Sequence, residues 1–349
     1  MRLSTVELPL WRRWIIRAYL TIRVSTLGFT LLLPLTGSAS AAPGWRPLQA
    51  AWLIAIALAF HVFAYVLNDV VDLDVDRSEP LRADSPLVLG EIGRAQALAL
   101  AWAQPPLAFG FALAGEASVS VLAWLALAFV AMAIYDVYGK RCRRPVLTDA
   151  VQAVGWCALL LMGAWDANPS PPSATWWVAG YVFLCVMLVN GVHGGLRDLA
   201  NDQRCGARTT ALWLGARAGA GNMVITSRAL TLHALVLQTG LVLCALGAAR
   251  AMEIGTARGS GLVSVVATLV AACASLFVAF RRAHDRRALV AAGAWNIVAT
   301  VLVLPALMWS EIGATGVAVL LAIFGLPVLA MLAYNGSHWC LATTKGPLP

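Results

Sequence analysis

Six of the chain's 17 acidic residues fall between positions 69 and 84. In LNDVVDLDVDRSEP (residues 67–80), Asn68, Asp69, Asp72 and Asp76 fall at i, i+1, i+4 and i+8, near one face of a helix. Asp74 and Glu79 are expected to point to solvent. A second pair, Asp198 and Asp202, lies at i and i+4 in GVHGGLRDLANDQRCGARTTALWLG (residues 191–215). Like charges at this spacing destabilise a helix unless a cation sits among them. Hard oxygen donors without His or Cys suit Mg²⁺, which completes its shell with phosphate oxygens and water. Two such clusters facing each other, with Asp69, Asp72, Asp76, Asp198 and Asp202 as ligands, would hold a diphosphate through bridging metal ions.

The elements that must position them are membrane spans. Of 349 residues, 60% are hydrophobic and 12% charged, and the mean hydropathy is +0.77. A soluble chain carries about a quarter charged residues. Apolar runs of the length needed to cross a bilayer recur at roughly 14–36, 49–67, 95–114, 118–137, 147–165, 175–196, 229–249, 260–280, 288–309 and 314–334. The expected fold is all-α, a multi-pass transmembrane bundle of nine to ten spans forming one domain over residues 1–349. The first run resembles a secretory leader, with SASAA (residues 38–42) as a small-residue cleavage site. Its length, and Arg17 and Arg23 within it, favour a retained helix.

Alternate loops at 68–94, 138–146, 197–228 and 281–287 hold three, four, five and four Lys or Arg, and the two tails add three and one. The opposite loops hold only Arg46, Arg250 and Arg258. The positive-inside bias puts both termini and both acidic motifs on the cytoplasmic side, in the cell membrane. The net charge of +8 suits lipid headgroups or a phosphorylated ligand. Split among short loops, it gives no support to nucleic-acid binding. Seven cysteines without a CxxC pair read as packing residues rather than disulfides or a zinc site.

Several basic and polar residues supply the other half of an anion site. Lys140 and Arg141, in YDVYGKRCRRP (residues 135–145), lie nearest a helix end and within reach of a diphosphate oxygen. Arg143 and Arg144 read as an ordinary positive-inside loop. Arg208 and Thr209 follow the second acidic pair and offer charge-assisted bonds. Arg23, inside the first span, implies a polar cavity. His61 shares the face of Asn68, and His61 and His193 both read as packed, hydrogen-bonded histidines. Tyr65, Tyr135 and Tyr138 read as aromatic residues that pack at the membrane interface.

At these residues the chain resembles the UbiA superfamily of intramembrane prenyltransferases. Its NDxxDxxxD signature matches Asn68, Asp69, Asp72 and Asp76, and SPLVLG (residues 85–90) stands in the place of RPLxxG. Its DxxxD signature, continuing through GxKST to a later Gly, matches Asp198, Asp202, Gly206, Arg208-Thr209-Thr210 and Gly215, and YDVYGKR is similar to YSxxLKR. The departures are Ser85 for an arginine that Arg82 would replace, Gly194 where many members carry a further aspartate, Arg208 for lysine, and ten spans rather than nine. The resemblance implies a Mg²⁺-dependent enzyme that ionises an isoprenyl diphosphate and transfers the prenyl group to a lipophilic or aromatic acceptor. Lys140, Arg141 and Arg208 would stabilise the leaving group. A terpene cyclase on the same scaffold and a multi-pass transporter are the alternatives. Acceptor and prenyl chain length have no sequence signal.

Overall fold

A computed structural model describes residues 22–79, 82–220, 223–252, 259–281 and 285–343, with the side chains of 259–262 and 331–343 outside the description. Ten helices among the described residues are long and apolar enough to cross a membrane. They are α1 (Val24–Ala41), α2 (Pro47–Val71), α3 (Arg94–Ala114), α4 (Val119–Tyr138), α5 (Pro145–Ala167), α6 (Ser173–Leu188, its span running on to Arg197), α7 (Arg228–Ala251), α8 (Gly259–Arg281), α9 (Arg286–Leu307) and α10 (Trp309–Thr343). Every expected span has its counterpart. The start of the first (14–21) lies outside the described residues, and Arg23 stands just before α1 rather than inside a span. The one strand pairing among the described residues joins Arg217–Ala218 to Val224–Ile225, antiparallel, in the loop before α7.

Hydrophobicity selects spans but not their order from inside to outside. In α1 and α5, 67% of the most apolar window is buried, against 22% in α3 and 17% in α10, so α1 and α5 are central and α3 and α10 face outward. Lipid is as apolar as leucine, so close approach of backbones decides which helices pair. The α1–α5 seam shows it from both sides. A Cβ at Gly37 would strike the carbonyl oxygen of Leu160, and one at Gly163 would strike that of Pro34. Beside the seam, Phe60, Phe63, Phe129 and Trp156 meet edge to face at centroid distances of 5.0–5.5 Å, the geometry that aromatic quadrupoles favour.

Two breaks matter more than the straight helices. The first acidic motif is not one continuous helix: α2 ends at Val71, Asp72 has φ −89° and ψ 4°, and a single turn, Leu73–Asp76, follows. Asp198 has the same conformation (φ −95°, ψ 3°) between the short helices Gly195–Arg197 and Leu199–Arg204. Before it, α6 widens into a π-helical turn, Val189–Gly194, a form frequent at functional sites. The expected helical face is therefore replaced in both motifs by a kink with an aspartate at its apex.

Because the α1–α5 seam has no room for a methyl group, Gly37→Ala and Gly163→Ala should each cost about 1–3 kcal/mol. Thermal unfolding in detergent should show a lower Tm for both, and unchanged melting would contradict the seam.

Candidate active site

Both acidic motifs come together at one end of the bundle. The loops touch directly: Ser78 Oγ donates to Asn201 Oδ1 at 2.9 Å, and Asn201 Nδ2 to the Val75 carbonyl at 3.0 Å. The loop after α4 closes on them, since the Arg208 amide donates to the Lys140 carbonyl at 2.9 Å. Three segments far apart in sequence thus share one mouth. Arg286, at the start of α9, ties them down by donating to the Arg197 carbonyl at 2.7 and 3.1 Å and lying 3.9 Å from Glu79. Glu79 is only 7% exposed, so the expectation that it faces solvent is wrong. Its carboxylate is folded inward against α9. Asp74 does face solvent, paired with Arg77.

Each carboxylate at the mouth is met by a cation. Lys140 Nζ lies between the two motifs, 3.2 Å from Asp72 Oδ2 and 3.5 Å from Asp202 Oδ1. Arg197 makes a two-pronged bond to Asp198 at 2.7 and 2.8 Å, and Arg82 Nε is 3.9 Å from Asp76. Arg23 pairs with Asp69, donates to Asn68 Oδ1 at 3.3 Å, and lies over the Tyr65 ring at 5.4 Å. Its own backbone is left-handed (φ 49°, ψ 53°), a conformation that costs a non-glycine residue of order 1–3 kcal/mol and persists where surroundings enforce it.

Electrostatics follow from this packing. Burial pushes the Asp202 carboxyl up to about 6, with Lys140 opposing and Asp198 adding, and burial likewise raises Asp76. For Asp198, burial also disfavours ionisation, but the bond and charge of Arg197 outweigh it and hold the carboxyl below its usual range. For Lys140 the sign reverses: burial favours the neutral amine, and Asp72 and Asp202 together overcome it and raise the ammonium pKa. The mouth is a place where buried negative charge demands a positive partner.

Not every expected residue joins in. The side chains of Arg141 and Arg208 are exposed, because Arg141 lies in the turn past α4 and only the backbone of Arg208 faces the site. Thr209 caps the short helix Thr210–Trp213 by accepting from the Leu212 amide. Tyr135 is half-buried among Asp72, Asp136 and Asp149, whereas Tyr138 is 58% exposed and turned away. His61 is the packed histidine expected. Its Nε2 faces the Ile22 carbonyl at 2.7 Å and must donate there, so Nδ1 accepts from Thr30 at 2.7 Å. His193 bonds Asn296 at 2.7 Å.

Two carboxylates escaped the sequence reading. Asp149, near the start of α5, accepts from Thr210 and from Asn190 of the π-turn (2.7 Å). Asp136, near the end of α4, is 4% exposed and accepts from Asn68 Nδ2 at 3.4 Å. The signal was available, since each is a lone acid inside an apolar helix, where charge is costly.

Among the described residues, no three His, Cys, Asp or Glu side chains converge closely enough to ligate one ion. The donor chemistry nevertheless fits a hard divalent cation. The acidic groups at the mouth are all carboxylates, and the Lys140 ammonium between one aspartate of each motif shows that they call for positive charge, which a hard divalent cation would also supply. If that ammonium offsets their repulsion, Lys140→Met should destabilise the protein by up to about 3 kcal/mol. Adding Asp202→Asn should restore part of the loss; a double variant whose effects simply add would refute the bridge.

Comparison with known proteins agrees with this arrangement. The UbiA prenyltransferase family matches residues 30–292. A 4-hydroxybenzoate octaprenyltransferase from Polaromonas sp. is 29% identical over 195 residues, 56% of this chain and 65% of that protein, so the match spans just under two thirds of its length. Among solved structures, the apo UbiA homologue from Aeropyrum pernix K1 superposes with a TM-score of 0.61 at 16% identity, covering 85% of this chain and 96% of that one. A UbiA homologue from Archaeoglobus fulgidus bound to GPP and Mg²⁺ gives 0.59 at 15%, covering 88% and 99%. With three quarters of its length inside the family match and the same helical fold, this chain belongs to the UbiA prenyltransferase family.

Proposed function

We propose that this integral multi-pass membrane protein transfers a prenyl group from an isoprenyl diphosphate to a hydroxylated aromatic acceptor. The observation that carries this reading is the Lys140 ammonium held between Asp72 and Asp202, one carboxylate from each motif around one positive charge. The relative named for 4-hydroxybenzoate supports the acceptor class, and the homologue bound to GPP and Mg²⁺ supports the donor and the metal. All ten spans act as one domain in this reading, the C-terminal helices included, because Arg286 of α9 braces both motifs.

Asp69, Asp72, Asp76, Asp198 and Asp202 would hold Mg²⁺, which when bound neutralises charge on the diphosphate. Lys140 and Arg82, already at the mouth, donate to diphosphate oxygens and favour the charge that grows as the C1–O bond breaks, usually the largest catalytic contribution. Arg23 holds Asp69 and donates to Asn68 beside it. Tyr65 and Trp156, 6.3 Å apart, would exclude water from the allylic cation. The acceptor ring carbon bonds to C1, and the ring proton passes to the released diphosphate. Both termini and the mouth face the cytoplasm, as the Lys and Arg distribution supports.

Asp72→Ala and Asp198→Ala should each lower Mg²⁺-dependent diphosphate release by about 10²-fold or more while the protein stays folded; undiminished turnover in both would falsify the reading. Sidedness is checked by single cysteines in a cysteine-free background. An impermeant maleimide should label E116C, in the opposite turn, on intact cells, and R143C only in inverted vesicles.

A further inference from the structure

The mouth is layered. Asp72 meets Lys140 at 3.2 Å, and four residues earlier in both helices Asn68 meets Asp136 at 3.4 Å. Asn68 and Asp136 lie inside α2 and α4, whereas Asp72 and Lys140 lie just past the ends of those helices, and the Asp72 amide closes onto the Asn68 carbonyl at 2.9 Å, so the second pair lies about one turn deeper in the bundle. Below it come Tyr65, His61 and Trp156, in contact with one another through ring pairs at 4.5 and 6.3 Å. The Asn68–Asp136 pair therefore separates the charged mouth from the apolar interior.

Asp136 is the anomaly of that layer. Oδ1 accepts from Asn68, but Oδ2 is buried and has no hydrogen-bond partner among the described residues. The other carboxylates at the mouth face Lys or Arg side chains, and Asp149 is satisfied by Thr210 and Asn190. A buried carboxylate oxygen without a donor costs more than a lost neutral bond, and a small residue would fill the position without that cost. Such a group calls for a ligand that brings a hydrogen-bond donor to it.

Resting on the prenyl-transfer reading, we infer that Asp136 binds the acceptor: its free Oδ2 receives the hydrogen of the acceptor's phenolic hydroxyl and so sets the ring beside C1. The diphosphate belongs to the layer of Lys140 and the prenyl tail to the aromatic interior. C1, which joins them, falls at the level between, the level of Asp136. A phenol anchored there presents the carbon next to its hydroxyl to C1. The hydroxyl proton is shared with Asp136 and not transferred, so the reaction's balance is unchanged. The ligand class is an aromatic acceptor with a free hydroxyl.

The test uses full-length protein in nanodiscs with geranyl diphosphate and Mg²⁺, and with 4-hydroxybenzoate and 1,4-dihydroxy-2-naphthoate as acceptor probes. In Asp136→Asn and Asp136→Ser, the acceptor KM should rise about tenfold or more, the loss of a bond to a charged group. Affinity for geranyl thiolodiphosphate should change less than about twofold, as for an independent subsite, which also shows that the variants are folded. Inhibition by 4-methoxybenzoate, which has no hydroxyl hydrogen, should be the same in wild type and variants. Loss of thiolodiphosphate binding would place Asp136 in the diphosphate site and overturn the inference, as would an unchanged acceptor KM. Diphosphate release by the wild type without prenylation of either probe would also overturn it. Failure of the wild type to bind or turn over geranyl diphosphate would instead overturn the prenyl-transfer reading itself.

Discussion

Buried carboxylates that repel one another are tolerable only around positive charge, and the mouth of this bundle is organised by that constraint. Asp72 and Asp202 come from helices that are not neighbours in sequence, yet both are held to one ammonium, that of Lys140. Remove the cation and each carboxylate faces the other in a medium that screens poorly. The same requirement brings Arg197 to Asp198, Arg82 to Asp76 and Arg23 to Asp69. A site built this way holds its buried charge in balance through side chains drawn from several helices.

The rest of the architecture delivers those side chains. The glycine seam between α1 and α5 is the closest backbone contact that bears on the site. It fixes the helix preceded by Arg23 against the helix that carries Asp149. Helix breaks do the fine aiming. At Asp72 and Asp198 the chain leaves the helical path with nearly the same dihedral angles, turning each motif's later carboxylate back toward the centre. The π-turn before Asp198 directs Asn190 to Asp149 and His193 to Asn296, joining the site to α5 and α9. These departures from ideal geometry concentrate where the charges are, as expected when local regularity is given up for function.

How much of this was legible depended on the kind of signal. Asn68, Asp69, Asp72, Asp76, Asp198, Asp202 and Lys140 announced themselves by residue type, spacing and place at span ends, and the fold brings all seven together. Arg141 and Arg208 have the same composition signal but exposed side chains; charge alone does not say which way a loop residue turns. Glu79 was misjudged for the converse reason, because its burial depends on Arg286, more than two hundred residues away. Asp136 and Asp149 were visible as lone acids in apolar helices, but neither belongs to a repeated spacing.

By itself, then, the sequence determined where nine to ten apolar spans lie, the all-helical class and the carboxylate clusters. Those follow from composition, hydropathy over one helix length, and charge repulsion over one or two turns, all local quantities. Which helices lie at the centre, which cation answers which carboxylate, and that Asp136 lies deeper than Lys140 with one oxygen unpaired among the described residues were decided only in the tertiary structure. Those depend on how backbones approach across the bundle, as at Gly37 and Gly163, where a methyl group has no room, because every span here is apolar enough for lipid and hydrophobicity alone does not choose its neighbours.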